Sequence, residues 1–453
     1  MSEIADERYR GALGALAEDV ASLRWSDLSE EVVERTLLVL LDTLGVAAAG
    51  AATPELVALR DTWNPQSGPA PLIAGGLSAD EATACLFNGA ATCCLELDEG
   101  SKYARGHPSA HVLPAALALG ASRDATGEAW LEAFLGGYEV AARFGRATKL
   151  RPGVHPHGTW GVAGAAAAGA RLLSLEPDQL AGAIDAGAAQ SLAPHFSSAF
   201  KGSFVRNAWI GASSFSGLTA ARLAATGLAQ VDGAAPDVFG DILGSFDAAE
   251  LDRDLGGRKE ILGGYFKRHA ACAYTHPAAD AVQKLFAEGP IDREEVSEIT
   301  VETYAIAATL GAQAWPTRLA AMFSIPYVVA ETARTGDFGP RATDEARRSD
   351  PETAALASRV VVTATYEFES RLPAERGARV TIVAGAGARS VEVRNPIGDA
   401  DNQPLGWDEV RAKVVGLTGA AAAAELEAIV RALPAAARAA TQLNKLTSIE
   451  VER

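Results

Sequence analysis

Cysteine and methionine are scarce in this chain. Cys85, Cys93, Cys94 and Cys272 are the only four cysteines among 453 residues, with two methionines. No CxxC pair occurs, so a zinc ribbon or an iron–sulfur cluster has no usual ligand set here. Adjacent Cys93 and Cys94 read as small buried apolar residues. HExxH, the P-loop and a strand-borne GxGxxG are all missing, which removes the signatures of zinc-protease, nucleotide and dinucleotide chemistry. No metal and no cofactor is expected, and any chemistry is side-chain chemistry. Uninterrupted apolar runs are missing too: Asp42 breaks the one at 37–50 and Arg171 the one at 160–175. No membrane span is expected. The opening MSEIADERYR lacks the apolar core of a signal peptide, which makes a cytoplasmic protein the expectation. Basic charge is short, 40 Lys and Arg against 57 Asp and Glu, for a net −17. That balance argues against nucleic acid or an anionic membrane as partner.

What is present is mostly helix. The chain is 48% hydrophobic with 44 glycines, a composition suited to closely packed helices. Apolar spacing predicts helices at 6–24, 29–49, 79–94, 112–122, 127–147, 159–172, 177–191, 206–227 and 234–243. PQSGPAP at 65–71 reads as a breaker-rich loop. After about residue 275 the pattern changes. VSEITVETY at 296–304 alternates like a strand, and 359–368 and 379–395 follow, the last with a Gly-rich turn between two arms. Helical stretches at 318–335 and 350–358 lie between them, and helix returns after Trp407. The expected fold is multi-domain and mainly α. A large all-α helical domain spans 1–270, a smaller α+β domain spans 275–400, and 405–453 is a helical return to the first.

Charge is uneven along the chain. The stretches 100–123, 140–175, 186–231 and 262–279 hold no Asp or Glu, yet they hold all seven histidines: 107, 111, 155, 157, 195, 269 and 276. An acidic protein is thus expected to carry a basic, imidazole-rich interior, a field suited to a small polyanion. The stretch from Asn88 to Pro114, NGAATCCLELDEGSKYARGHPSAHVLP, departs furthest from packing logic. Glu96, Asp98 and Glu99 crowd together, a short loop follows, and His107-Pro108 opens a new apolar run. Charges between apolar helices cost free energy unless paired, whereas burial and mutual charge tune acids and bases in active sites.

These residues resemble the signature of the 2-methylcitrate dehydratase family (MmgE/PrpD), which includes cis-aconitate decarboxylases and iminodisuccinate epimerases. The resemblance continues through LDTLGVAAAG at 41–50, HPHGTWGVAGAAAAGARLL at 155–173, FKRHAACAYTHPAADA at 266–281, FSIPYVVAETARTGDF at 323–338 and NPIGDADNQPL at 395–405. It implies a cofactor-independent lyase for a small di- or tricarboxylate, foremost a dehydratase. Epimerase, decarboxylase and a non-catalytic anion-binding scaffold remain as alternatives. It also implies a homodimer, with the site between the helical and α+β domains.

Carried over by position, the resemblance assigns catalysis to His107, Glu96, Asp98, His155 and Lys267. Relatives have DFDDT where this chain has ELDEG, so Gly100 stands where threonine is usual. His157 likewise stands where threonine is common, and Arg206 where a lysine is common. Arg206, Lys201, His157, Arg268 and Tyr327 are the expected substrate-binding residues. Arg206 and Lys267, with His155, are expected to hold the substrate carboxylate. A carboxylate beside His107 would orient the imidazole and favour its protonated form. His107 and His111 are expected to find no third metal ligand.

Overall fold

Helix signals in the sequence convert directly into a packed α-domain. The computed structural model describes residues 3–452. Its first helices are α1 (Glu3–Ser22), α2 (Glu30–Ala51), α3 (Pro54–Trp63), α4 (Glu81–Cys93), α5 (Pro108–Gly120), α6 (Gly127–Ala147), α7 (Gly161–Leu172) and α8 (Pro177–Ala189). The short α9 (Ser197–Phe200) and the long α10 (Val205–Ala225) follow. Side-chain caps fix several starts: Ser29 accepts from the Val32 amide, Asp80 from Thr83 and Thr126 from Ala129. Among the described residues no single helix is long and apolar enough to cross a membrane. Asp42, in the middle of α2, is buried and receives the Lys413 ammonium at 2.6 Å.

The helical domain is not purely α. β1 (Ser67–Pro71) pairs with β2 (Ser78–Ala79), β3 (Gly100–Ser101) with β6 (Gly264–Tyr265), and β4 (Thr148–Leu150) with β5 (Gly244–Phe246). These ladders are too short for any alternation to register in the sequence. The β3–β6 pair matters most, because it stitches the loop after the acidic residues to the segment carrying Lys267.

Glycine sets how closely the helices approach. A methyl on Gly89 of α4 would meet the backbone nitrogen of Gly211 on α10 at 2.5 Å, and one on Gly211 would strike the Cys85 carbonyl. The two helices therefore cross backbone against backbone. This contact brings the start of α10, with Arg206, to the end of α4, where Glu96 follows.

The second domain opens with α11 (His276–Ala287). A four-stranded sheet follows, with β7 (Val296–Thr303), β8 (Val360–Ala364), β9 (Ala378–Ala384) and β10 (Gly387–Val393) in the order β10-β9-β7-β8. β9 runs antiparallel to both neighbours in register Ile299↔Ile382 and Val301↔Val380, while β7 and β8 are parallel. The parallel pair requires a crossover, supplied by the helices between residues 318 and 357. One sheet face buries Ile299, Val301, Val380 and Ile382 against Val282 and Leu285 of α11. The fold is thus mainly α, with a large helical domain and a smaller α+β domain. The strand expected at 359–368 stops at Ala364, and Tyr366–Glu369 turns into a helical turn instead. Helices Trp407–Thr418 and Ala420–Ala432 pack back on the first domain through Val410, Val414, Leu426 and Val430.

Substituting Gly211→Ala should force α4 and α10 apart, costing roughly 1–3 kcal/mol as other overpacked contacts do. Urea unfolding would show a lowered midpoint at unchanged slope. A midpoint equal to the wild type would mean that the crossing is looser than described.

Candidate active site

The chain leaves α4 at Cys93 and alternates. Leu95 and Leu97 enter a small apolar cluster with Val46, Ala49 and Ala270. Glu96 and Asp98, between them, are buried among charged partners. Glu96 has φ 51°, a left-handed backbone that glutamate rarely adopts, and such strain persists only where surroundings enforce it. Lys413 also reaches the backbone here, donating to the Leu97 carbonyl at 2.8 Å.

Two cations enforce the arrangement. Arg206 forms an ion pair with Glu96 Oε1 and donates to the Cys93 carbonyl at 3.3 Å and Asn207 Oδ1 at 3.1 Å. Lys267 Nζ lies 3.0 Å from Asp98 Oδ1 and 3.4 Å from Glu96 Oε2. All four side chains are at most 2% exposed. Burial disfavours the Lys267 ammonium, but Asp98 and Glu96 more than offset it and raise its pKa. The expectation that Arg206 and Lys267 lend their charge to a substrate needs correction. Two carboxylates already neutralise these two cations, and Lys267 stands behind the cavity wall rather than in it.

Four imidazoles gather beside this cluster. His107 precedes α5, with Pro108 as the first helical residue. Its Nδ1–H donates to the Glu99 carbonyl at 2.7 Å, with Asp98 Oδ2 3.1 Å away, leaving Nε2 as a free lone pair. His111, one turn later, donates from Nδ1 to the His107 carbonyl and accepts the Gly158 amide at Nε2, so it is spent on structure. His155 has the opposite tautomer to His107. Its Nδ1 accepts the His157 amide at 3.0 Å, so the neutral ring carries its proton on Nε2. His157 Nε2 faces Arg206 Nη2 at 3.2 Å, and its Nδ1 has no hydrogen-bond partner among the described residues.

Burial holds the pKa of His107, His155 and His157 well below the usual imidazole range. Lys267 adds to this for His107, and Arg206 for the other two. The expectation of a protonated His107 is therefore reversed: desolvation and Lys267 outweigh the nearby carboxylates. His107, His155 and His157 therefore bring no positive charge of their own to the basic, imidazole-rich interior that was expected. Glu99 points elsewhere, into a buried set with Ser109 Oγ at 2.6 Å and the Tyr138 hydroxyl at 2.5 Å, and burial pushes its pKa up to about 7.

A cavity of about 270 Å³ opens in front of these groups. Glu96, His107, His155, His157 and Arg206 line it from the helical domain. Tyr304 and Arg376 line it from the α+β domain, with Tyr265, Cys272 and Tyr274 from the junction. Three expected binding residues are not brought here. Lys201 and Arg268 are exposed outside the lining, Arg268 because the chain turns it outward as Lys267 turns in. Tyr327 donates to the Ala342 carbonyl at 2.5 Å inside a separate apolar cluster. His195 is exposed, and His269 and His276 are tied to Asp280 and the Ala271 carbonyl.

Sequence reasoning passes over Lys102, Tyr304 and Arg376. Lys102 holds both oxygens of Asp399 at 3.1 Å and so anchors the loop 100–106 to the NPIGD turn. Arg376 sits just before β9, where a strand pattern gives no reason to single out its first charge.

A different group of possible ligands, without His111, forms around His107. Asp98, His107 and His157 each bring one donor atom within 4.8 Å of the others. Arg206 and Lys267 lie directly against His157 and Asp98, so His157 Nε2 and Asp98 Oδ1 are already engaged. The set suits proton traffic better than a metal.

Family models for the MmgE/PrpD N-terminal and C-terminal domains match residues 14–250 and 269–434. A cis-aconitate decarboxylase from Aspergillus terreus (strain NIH 2624 / FGSC A1156) is 25% identical over 313 residues, covering 64% of this chain and 63% of that protein. A cis-aconitate decarboxylase-like protein, oryM, from Aspergillus oryzae (strain ATCC 42149 / RIB 40) is 25% identical over 321 residues, covering 65% of this chain and 66% of it. The matched chain thus spans less than two thirds of either relative.

The depressed histidines set the sign of acid stability. His107, His111, His155, His157 and His276 have pKa values below the usual 6.5 in the fold, so below that pH the unfolded chain binds more protons than the folded one. Their contribution is present above pH 6.5 and is lost as the pH falls. Glu99 and Glu139, raised from 4.5 to about 7, oppose this between those values, as Asp42 and Glu331 do in direction. The five imidazoles should prevail, so the urea midpoint should drop steadily between about pH 6.5 and 4.5. A flat or rising midpoint across that window would contradict buried neutral histidines.

Proposed function

The chain belongs to the MmgE/PrpD family, and on that premise we propose that it is a lyase for a small polycarboxylate. Its first step is removal of a proton next to a carboxylate. The observation that carries this reading is the pair of opposed tautomers, His107 with a free Nε2 and His155 with a proton on Nε2, on one cavity wall.

Each group then has a task. His107 Nε2 takes the carbon-bound proton. The imidazolium so formed is stabilised by Asp98 Oδ2, 3.1 Å from Nδ1. Charge moves onto the adjoining substrate carboxylate, where prearranged N–H donors are worth most. His155 Nε2–H, His157 Nδ1–H and Arg206 Nε–H are the candidates, the last two having no hydrogen-bond partner among the described residues. Arg206 contributes here as a donor, since Glu96 has taken its charge. In a dehydration the C–H and C–O bonds break, the C=C bond forms, and the imidazolium returns its proton to the departing hydroxyl, releasing water. The hydroxyl needs no metal-bound acid in that scheme, because the proton it receives is the one just taken.

The names of the two fungal relatives favour a second reading, decarboxylation. There the C–C bond to a carboxylate breaks, carbon dioxide leaves, and an imidazolium protonates the carbon. A panel of citrate-like, malate-like and aconitate-like acids separates the outcomes: alkene absorbance for dehydration, gas release for decarboxylation, and exchange in heavy water without net change for epimerisation. Binding with none of these would identify an anion-binding scaffold.

His107→Ala should lower turnover by about 10²- to 10⁴-fold, the usual contribution of a general base. Its melting temperature should stay near that of the wild type and polycarboxylate binding should persist. Near-normal turnover in a folded His107→Ala protein would end the assignment.

A further inference from the structure

We propose that Arg376 and Tyr304 form a second anion subsite of the cavity, built by the α+β domain to hold a further carboxylate of the same substrate. This deepens the polycarboxylate reading and rests on it.

The argument starts from the balance of charge. Arg206 and Lys267 are neutralised by Glu96 and Asp98, and Lys102 by Asp399 and Asp401. Arg376 is different. It is 8% exposed and lines the cavity, yet among the described residues its guanidinium forms no ion pair and its Nε has no hydrogen-bond partner. The ring of Tyr265 lies against it, 4.5 Å from centroid to guanidinium carbon. Burial disfavours the guanidinium, but Tyr265, Tyr304 and Asp399 offset that cost, so the cation persists beside the cavity with its Nε–H still unused. Asp399 contributes its charge from nearby but makes no ion pair with Arg376, since both its oxygens are held by Lys102.

A second group on the same domain has the same need. Tyr304 is 1% exposed, lines the cavity, and its hydroxyl has no partner among the described residues. Its ring packs edge-on against Tyr274 at 5.8 Å. A carboxylate would accept from the guanidinium and the hydroxyl together, in the geometry arginine is suited to. The subsite is also held in place. Asn395 accepts the Arg376 amide at 3.1 Å and donates to the Ala374 carbonyl at 3.2 Å, so the late NPIGD turn braces it. A substrate with acids at both places is held by both domains at once, whereas a monoacid engages one.

The test uses tricarballylate, which has no hydroxyl to eliminate, and butyrate, which has a single acid group. Calorimetric titration of the wild type should give much tighter binding of tricarballylate. Arg376→Gln should weaken it by about ten- to a hundredfold, as loss of charge-assisted hydrogen bonds does. Tyr304→Phe, which keeps the ring, should weaken it several-fold. Butyrate binding should be unchanged in both. The unliganded melting temperature of Arg376→Gln should stay near that of the wild type, since the side chain forms no ion pair among the described residues. Wild-type tricarballylate affinity in both variants, or an equal loss for both acids, would overturn the subsite while leaving the polycarboxylate reading intact. Wild-type protein that holds tricarballylate no better than butyrate would overturn that reading, and the subsite with it.

Discussion

Two carboxylates and two cations share one buried volume beside the cavity. Glu96 and Asp98 could not be buried alone, and neither could Arg206 and Lys267; each pair makes the other tolerable. The four residues come from three separate segments, so satisfying them dictates how the end of α4, the start of α10 and the strand-borne segment at 264–267 meet. The Gly89–Gly211 crossing and the β3–β6 ladder are the backbone means of meeting that demand. The left-handed backbone at Glu96 is the local strain accepted in return.

Because the cluster is internally balanced, the imidazoles beside it are held neutral. His107 and His155 differ only in which nitrogen carries the proton, and that is decided by one carbonyl and one amide. The division between domains follows. The helical domain supplies the imidazoles of the cavity wall, and the α+β domain supplies Arg376, a buried arginine that forms no ion pair among the described residues.

Much of this is legible in the order of the amino acids. Apolar spacing marks a helix at 127–147, and it lies at Gly127–Ala147. Histidines collecting in acid-free stretches signal the gathering of His107, His155 and His157 beside Glu96 and Asp98. Partnerships are not legible, because a sequence does not pair Arg206 with Glu96 or Lys102 with Asp399 across such separations. The charge state of His107 is hidden for a related reason. A neighbouring acid is visible in the sequence, but desolvation is not, and desolvation dominates. Tyr327 belongs to a motif that suggests a pocket residue, yet its hydroxyl is spent on Ala342. Arg376 does not stand out, because it precedes the strand pattern at 379–395 with nothing in its neighbours to mark it.

The central claim is that His107 and His155 are neutral and of opposite tautomer. Nitrogen-15 spectra of the histidine-labelled protein test it most directly, with His107→Asn and His155→Asn giving the assignments. The account predicts a proton on Nδ1 of His107 and on Nε2 of His155 at the usual imidazole pKa of 6.5, with no titration of either ring until well below it. A His107 ring charged at that pH, or two rings sharing one tautomer, would contradict it.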